Sequence, residues 1–169
     1  MKVEVVPAAA GNAETIANLM SLYLHEFSDI DVLASGEVSE DGRYRSQYLH
    51  LYWTQEGRYP FLIRVDGQLA GFALVAQRAV LEPRASGHAI TEFFVLRSWR
   101  RRGVGRRAAR ALFDRFPGSW SVAEHPANTA AQVFWRTVLA EYTLGAYQEE
   151  RRGEGHTEEV VQTFDSPRL

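Results

Sequence analysis

One segment of the chain, residues 93–109, constrains the possible folds more than any other. It reads FFVLRSWRRRGVGRRAA: a strand-like apolar run ends, a short arginine-rich turn follows, and Gly103 and Gly105 open an amphipathic helix. The first turn of a helix has backbone N–H groups without intrahelical acceptors, and the helix dipole adds partial positive charge there. Glycine lets a ligand approach that backbone closely. The segment therefore predicts an anion site suited to a pyrophosphate, with arginine side chains beside it.

The distribution of charge favours a small anionic ligand over nucleic acid. The chain has a formal net charge of −2, yet arginines cluster in this one stretch: Arg100, Arg101, Arg102, Arg106, Arg107 and Arg110. Most nucleic-acid-binding domains are strongly basic as a whole, whereas this is a local patch on a slightly acidic protein. We expect no nucleic-acid partner. A nucleic-acid-binding module is the least favoured of the three functional classes considered for this chain.

Composition excludes several other classes. With no cysteine among its 169 residues, the chain has no disulfides, no thiolate metal site and no cysteine nucleophile. The chain has no run of eighteen apolar residues that could span a membrane. The apolar run in the N-terminal MKVEVVPAAA is too short for a secretory signal. We expect a single domain over 1–169, in the cytoplasm, with no metal and no membrane partner.

Periodicity predicts an α+β or α/β domain built on one mixed sheet, in the order β-α-α-β-β-β-α-β-α-β-β. The predicted strands are 3–6, 61–65, 69–77, 88–96, 120–123, 147–151 and 160–164, and the predicted helices are 13–27, 44–52, 103–116 and 128–142. Residues 28–42 are expected to form a loop or a broken helix. The Asp66-Gly67 step between two of the strands is a strong hairpin signal.

The glycine pair has competing interpretations. Residues 103–108 also fit the G-x-G-x-x-A pattern of dinucleotide-binding folds, with Glu124 about twenty residues further on. However, residues 97–102 separate the strand from Gly103, whereas a dinucleotide turn begins almost at the strand end. A hairpin, not a β-α-β unit, also precedes the motif. Besides the pyrophosphate site and the dinucleotide fold, a third interpretation is a basic helix start that faces solvent and binds nothing.

The segment Arg100–Gly105 (RRRGVG) resembles the R/Q-x-x-G-x-G/A signature of the GCN5-related N-acetyltransferases (GNAT). Upstream, Glu92–Leu96 resembles the fourth strand of that family. Downstream, Asn128–Ala131 (NTAA), followed by Phe134 and Trp135, resembles its later N-x-x-A helix. The resemblance covers nearly the whole element order. It implies a GNAT-like, mixed and mostly antiparallel sheet of about seven strands, flanked by about four helices and splayed between strands 4 and 5.

The resemblance also implies acetyl-coenzyme A as cosubstrate. The main chain of Phe94 and Val95 would pair with the pantetheine arm, and the N–H groups of residues 101–106 would hold the pyrophosphate. Asn128 would lie beside the pantetheine or thiol end, and Phe134 would pack on the cofactor. Their structural alternatives are a helix cap for Asn128 and simple core for Phe134. The complete set of expected cofactor-binding residues is Phe94, Val95, Arg100, Arg101, Arg102, Gly103, Val104, Gly105, Arg106, Asn128 and Phe134.

The implied reaction is acetyl transfer to a primary amine of a small molecule or protein. Glu92 is the candidate base, since partial burial in an apolar strand would raise its pKa; its alternative is a structural carboxylate. His88 is expected at the surface, with a role as base as the alternative. Many relatives have a tyrosine that protonates the departing thiolate where this chain has Trp135, whose indole cannot donate that proton at neutral pH. Tyr142 lies further along the same predicted helix. The general acid is therefore unassigned.

The acceptor site is expected between residues 23–52 and the C-terminal strands. The surplus of acidic residues in this region would suit a cationic amine, although a solvated acidic loop explains the same charges. The charged and titratable residues concerned are His25, Glu26, Asp29, Asp31, Glu37, Glu40 and Asp41. Tyr44, Tyr48, Tyr52 and Trp53 are expected to be helix core. The substitution at Trp135 leaves a non-catalytic acyl-coenzyme A-binding or regulatory domain as the alternative function. A homodimer is also expected to be possible.

Overall fold

A single seven-stranded sheet, in the order β1-β2-β3-β4-β5-β7-β6, organises the protein; the structure is a computed structural model that describes residues 1–167. The strands are β1 (Val3–Pro7), β2 (Arg58–Val65), β3 (Gln68–Gln77), β4 (His88–Val95), β5 (Gly118–Glu124), β6 (Tyr147–Arg152) and β7 (Glu159–Ser166). The helices are α1 (Ala13–Phe27), α2 (Val32–Ser35), α3 (Leu51–Thr54), α4 (Val104–Arg115) and α5 (Thr129–Thr143). Only β4 and β5 are parallel neighbours among the described strands. The predicted fold class is confirmed.

Most predicted elements begin and end within a few residues of the observed ones, and the hairpin at Asp66-Gly67 joins β2 to β3 as expected. Residues 28–42 contain the one-turn helix α2, and the carboxylate of Asp31 caps it by accepting from the N–H groups of Leu33 and Ala34. No helix within residues 1–167 is long and apolar enough to cross a membrane.

The segment between α2 and β2 departs from the prediction. The tyrosine spacing predicts a helix over 44–52, but helical structure begins only at Leu51. Tyr44 instead forms an antiparallel bridge with Val38, which requires extended backbone. Tyr48 is 68% exposed, so the tyrosine rings do not form one buried stripe. The predicted helix over 44–52 is therefore wrong, because the bridge holds Tyr44 in extended geometry and only coil and turns follow before Leu51.

The two faces of the sheet are covered by different helices. Helices α4 and α5 pack on one face over a core of large side chains that includes Phe61, Phe113, Trp120 and Trp135. Helices α1 and α3 pack on the opposite face over Met20, Leu49, Tyr52, Leu62, Phe72 and Phe94. Burial of these apolar surfaces drives the association of helices and sheet.

The sheet opens between its two parallel strands. β4 and β5 pair at only three positions: His88 with Trp120, Ala89 with Ser121, and Ile90 with Val122. Beyond Ile90, β4 continues to Val95 while β5 turns away, so the edge of residues 91–95 that faces β5 has no strand partner. A bulge sets this point, because the register of β3 against β4 shifts between Leu74 and Val75. Bulges are common beside active sites, where they redirect side chains.

Candidate active site

The loop after β4 is a row of unbonded backbone donors. None of the N–H groups of residues 101–106 has a protein acceptor within residues 1–167; the first bonded N–H of this stretch is that of Arg107, which donates to the Gly103 carbonyl at 3.1 Å. Two left-handed residues shape the loop: Arg101 with φ +58° and Gly103 with φ +76°. Consecutive N–H groups in such a turn, followed by a helix start, form a concave anion site.

The arginine side chains around this loop have different roles. The guanidinium group of Arg100 donates to the Val95 carbonyl at 2.7 Å and to Glu26 at 2.8 Å. Arg106 pairs with Glu141 across α4 and α5 at 3.2 Å. Arg101 and Arg102 have no carboxylate partner among the described residues. The guanidinium groups of Arg101 and Arg102 are therefore available to phosphate oxygens, whereas both the guanidinium group and the backbone N–H of Arg100 are bonded within the protein, the latter to the Arg97 carbonyl at 3.2 Å.

Aromatic side chains and a glycine line the gap between β4 and α5. Phe93 faces α4 and α5, and its ring is stacked with that of Phe134 at 5.9 Å and 26°. A Cβ at Gly105 would lie only 3.1 Å from the Phe134 ring, so the start of α4 and the side of α5 are closely packed here. Phe134 is half-buried, and it therefore forms one wall of the gap beside the unpaired edge of β4.

Asn128 caps α5 at the same side of the gap. Its Oδ1 accepts from the Ala131 N–H at 3.1 Å, the arrangement expected of a helix cap. The carboxamide nitrogen has no protein acceptor among residues 1–167. The cap and a ligand contact can therefore coexist in one side chain.

On the α1 face, the bulge directs Glu92 into a cavity of about 360 Å³. The cavity is lined by Met20, Ser46, Tyr48, Leu49, Tyr52, Arg58, Leu74, Val80, Leu81, Thr91 and Glu92. Burial raises the pKa of Glu92 from 4.5 to about 7, and the nearby Tyr23 hydroxyl opposes part of that rise. Burial raises the pKa of Tyr23 well above 10, so this hydroxyl keeps its proton and acts as a donor at neutral pH.

The sequence of the chain matches the acetyltransferase (GNAT) family over residues 17–139, well over half of its length. The chain belongs to the GNAT family. A search of curated proteins finds no match.

Solved structures share the GNAT fold of this chain. The ribosomal-protein-S18-alanine N-acetyltransferase from Escherichia coli has a TM-score of 0.62 at 12% identity, covering 99% of this chain and 96% of its own. An aminoglycoside acetyltransferase in complex with coenzyme A has a TM-score of 0.68 at 12% identity, covering 97% and 95%. An acetyltransferase from Bacillus anthracis in complex with acetyl coenzyme A has a TM-score of 0.57 at 11% identity, covering 98% and 99%.

Several predicted residues lie apart from this GNAT site. Trp135 is 5% exposed and belongs to the core, and the hydroxyl of Tyr142 bonds Asp114 and Ser166 at the far end of α5. His88, expected at the surface, is half-buried between the rings of Phe116, Tyr59 and Trp120, and burial lowers its pKa. The histidine is therefore only partly at the surface, because neighbouring strands and the end of α4 cover one side of it.

The acidic residues of the expected acceptor region do not line the cavity. Glu26 is bonded by Arg97 and Arg100, Asp31 caps α2, and Asp41 pairs with Arg45. Of the aromatic residues expected as helix core, Tyr52 is buried as expected, but both it and Tyr48 line the cavity. Trp53 instead donates its indole N–H to the Ala8 carbonyl at 3.0 Å.

Two residues of the cavity region were missed by sequence reasoning. Tyr23 entered only as the first residue of the expected acceptor region, 23–52, with no role assigned, and Arg58 lay outside the predicted strand 61–65. Neither carries a motif, and both reach the site only because α1 and the start of β2 pack beside the bulge of β4. The proximity of α1 to Glu92 could not be read from spacing, since 69 residues separate Tyr23 from Glu92 in sequence.

The two roles of Asn128 can be separated by substitution. We expect Asn128→Ala to lower the free energy of unfolding by about 1 kcal/mol, because a cap bond is lost. Asn128→Ser keeps an oxygen that caps the helix but removes the carboxamide nitrogen. Urea unfolding measures the first effect and calorimetry with coenzyme A the second. If Asn128→Ser binds coenzyme A as tightly as the wild type, Asn128 is a cap alone.

Proposed function

We propose that this chain is an acetyl-coenzyme A-dependent N-acetyltransferase that acts on a primary amine of a small molecule or protein. The observation that carries the proposal is the continuity of two features. The unpaired edge of β4 is followed, after the short turn of residues 96–100, by the unbonded N–H groups of residues 101–106. A slender ligand with a pyrophosphate at one end matches both, because the edge can pair with amide groups and the loop can hold phosphate oxygens.

The acetyl group would be transferred at the bulge. The amine nitrogen attacks the thioester carbonyl carbon, the C–S bond breaks, and the thiol sulfur leaves with its electron pair. Main-chain N–H groups on the unpaired edge of β4 are donors available to the developing oxyanion. Glu92 opens into the cavity on the opposite face from Phe93, and accepts the proton that the amine loses. Its pKa of about 7 suits this task, since a base is most effective near the working pH.

Trp135 favours a second candidate, a non-catalytic acyl-coenzyme A-binding or regulatory domain. Its ring is buried in the core, and an indole N–H does not supply a proton to a thiolate at neutral pH. One experiment separates the two candidates: coenzyme A affinity by calorimetry, together with thiol release from acetyl-coenzyme A over a panel of amines. Turnover of any amine supports the transferase, whereas tight binding without turnover of any amine supports the regulatory domain.

The phosphate loop gives a direct test of cofactor binding. Gly103→Leu places a side chain in the concave loop, where a Cβ meets no protein atom closer than 3.8 Å. We expect coenzyme A to bind at least about tenfold more weakly, because the side chain competes with the pyrophosphate for the same N–H groups. Calorimetry measures the change.

A matched control exists in the hairpin between β2 and β3. Gly67 has φ +82° and open space around its Cβ, so Gly67→Leu introduces the same backbone strain as at Gly103 but outside the site. It should lower stability while leaving coenzyme A affinity at the wild-type value. Equal affinity losses in the two variants would attribute the effect to strain and contradict the proposed phosphate site.

A further inference from the structure

The cavity on the α1 face has one acidic and one basic side chain in a lining that otherwise combines aliphatic residues with the hydroxyl-bearing Ser46, Tyr48, Tyr52 and Thr91. Glu92 supplies the carboxyl group, and Arg58, from the first position of β2, supplies a guanidinium group. Aliphatic side chains, among them Leu49 and Leu74, form another part of the wall. A cavity of about 360 Å³ suits a small molecule, since typical small-molecule sites begin near 300 Å³.

Arg58 is held in place without a counter-ion. Its Nε donates to the side-chain oxygen of Gln55 at 2.7 Å, and its guanidinium carbon lies 5.2 Å from the centre of the Tyr52 ring. No carboxylate pairs with it within residues 1–167. By contrast, Arg78 pairs with Glu82 at 3.6 Å; both residues line an adjoining cleft that shares Leu81 and Thr91 with this cavity. Arg58 therefore presents an uncompensated charge to the cavity, with further guanidinium donors available.

Tyr52 separates the two charged groups. Its hydroxyl bonds Thr91, the residue before Glu92. The charge of Arg58 lowers the pKa of Tyr52 and the charge of Glu92 raises it, while burial has the largest, raising effect. Tyr52 therefore lies between the two groups: Arg58 lies over its ring, and its hydroxyl reaches the residue next to Glu92.

We propose that the acceptor is a small primary amine that also carries an anionic group, a carboxylate or a phosphate, bound by Arg58. The amine faces Glu92, and an apolar spacer lies along the aliphatic wall between the two ends. This inference rests on the proposed acetyltransferase function and names its substrate class. It replaces the expectation of a cationic amine, because a second ammonium group would meet the charge of Arg58 and no acidic residue other than Glu92 lines the cavity.

The test compares amines of matched length. Thiol release from acetyl-coenzyme A is followed with ω-amino acids of increasing chain length, the corresponding ω-aminoalkyl phosphates, uncharged n-alkylamines and α,ω-diamines. We expect the best anionic amine to have a kcat/KM about 10-fold to 100-fold above the alkylamine of the same length, the range for one charged hydrogen-bonded contact. The carboxylate and phosphate arms identify which anion the site takes.

Two variants assign the preference to a residue. Arg58→Gln should bring the anionic and uncharged amines to similar kcat/KM values. Arg64→Gln is the control, because Arg64 lies on the same strand but donates to the Gly67 carbonyl outside the cavity; it should keep the wild-type preference. The comparison of substrates on the wild-type protein keeps the test valid even if Arg58→Gln folds poorly.

The outcomes are distinct for the two proposals. Equal or faster turnover of the uncharged amines or the diamines overturns the anionic substrate class and leaves the acetyltransferase function intact. An anionic preference that persists in Arg58→Gln also overturns it. Coenzyme A binding without turnover of any amine overturns the acetyltransferase function, and the substrate class with it.

Discussion

Replacing Glu92 with glutamine should lower kcat by about a hundredfold or more, with coenzyme A affinity unchanged. The amide retains the shape and hydrogen bonding of the carboxyl group but cannot take a proton from the amine. The rate of the wild-type protein should rise with pH through about 7, because the base forms as Glu92 loses its proton. In Glu92→Gln that limb of the pH–rate profile should disappear.

Steady-state kinetics across pH, with calorimetry for coenzyme A, provide the measurement. Glu82→Gln is a suitable control, since Glu82 lines only the adjoining cleft and pairs with Arg78. It should keep both the rate and the pH profile. If Glu92→Gln retains the full rate and an unchanged profile, Glu92 is structural and the amine is deprotonated in another way.

Replacing Glu124 with glutamine should make the protein more stable above neutral pH. Glu124 is 6% exposed at the end of β5, neither of its buried carboxyl oxygens has a hydrogen-bond partner within residues 1–167, and the buried Oε1 of Gln162 beside it lacks one too. Burial raises the pKa of Glu124 from 4.5 to about 7. An amide at this position can donate to Gln162 and carries no charge that burial would penalise.

The direction follows from proton linkage. Below about pH 4.5 the carboxyl group is protonated in both states, and above about pH 7 it is ionised in both, so stability falls as pH rises through that window. The loss is at most about 3 kcal/mol for this group. Urea unfolding at about pH 5 and about pH 8 should show a smaller decline in Glu124→Gln than in the wild type.

A surface substitution serves as the reference for that measurement. Glu158→Gln removes an exposed partner of Arg151 and should change the free energy of unfolding by less than about 1 kcal/mol. Glu92 has a similarly raised pKa, so part of the decline should persist in Glu124→Gln. A decline identical to that of the wild type would contradict the burial of an ionised Glu124.

The sheet and the three long helices could be predicted because their signals are local. The Asp66-Gly67 step fixes a hairpin, and the glycine pair after β4 fixes a helix start. The segment over 44–52 could not, because a tyrosine every fourth residue suits a helix by itself. The bridge between Tyr44 and Val38 depends on a turn that periodicity does not register.

The candidate site divides in the same way. The phosphate loop is contiguous in sequence, so its N–H groups could be named in advance. The environment of Glu92 depends on Tyr23 and the cavity walls, which come from distant elements brought together only by packing. The carboxyl group of Glu124 was placed at a strand end, but its burial beside Gln162 depends on the packing of β7 against β5.

The short pairing between β4 and β5 means that few backbone hydrogen bonds fix the angle between the two halves of the sheet. Three residue pairs join the strands themselves, and the core under α4 and α5 also joins the two halves, since it contains Phe61 and Ile90 from one half and Trp120 from the other. Trp135 packs edge-on against Phe93 with ring centres 5.1 Å apart. It therefore supports the part of β4 that diverges from β5. We therefore expect the width of the opening to depend on core packing, so that a smaller side chain at the buried Trp135 would alter the groove from behind its wall.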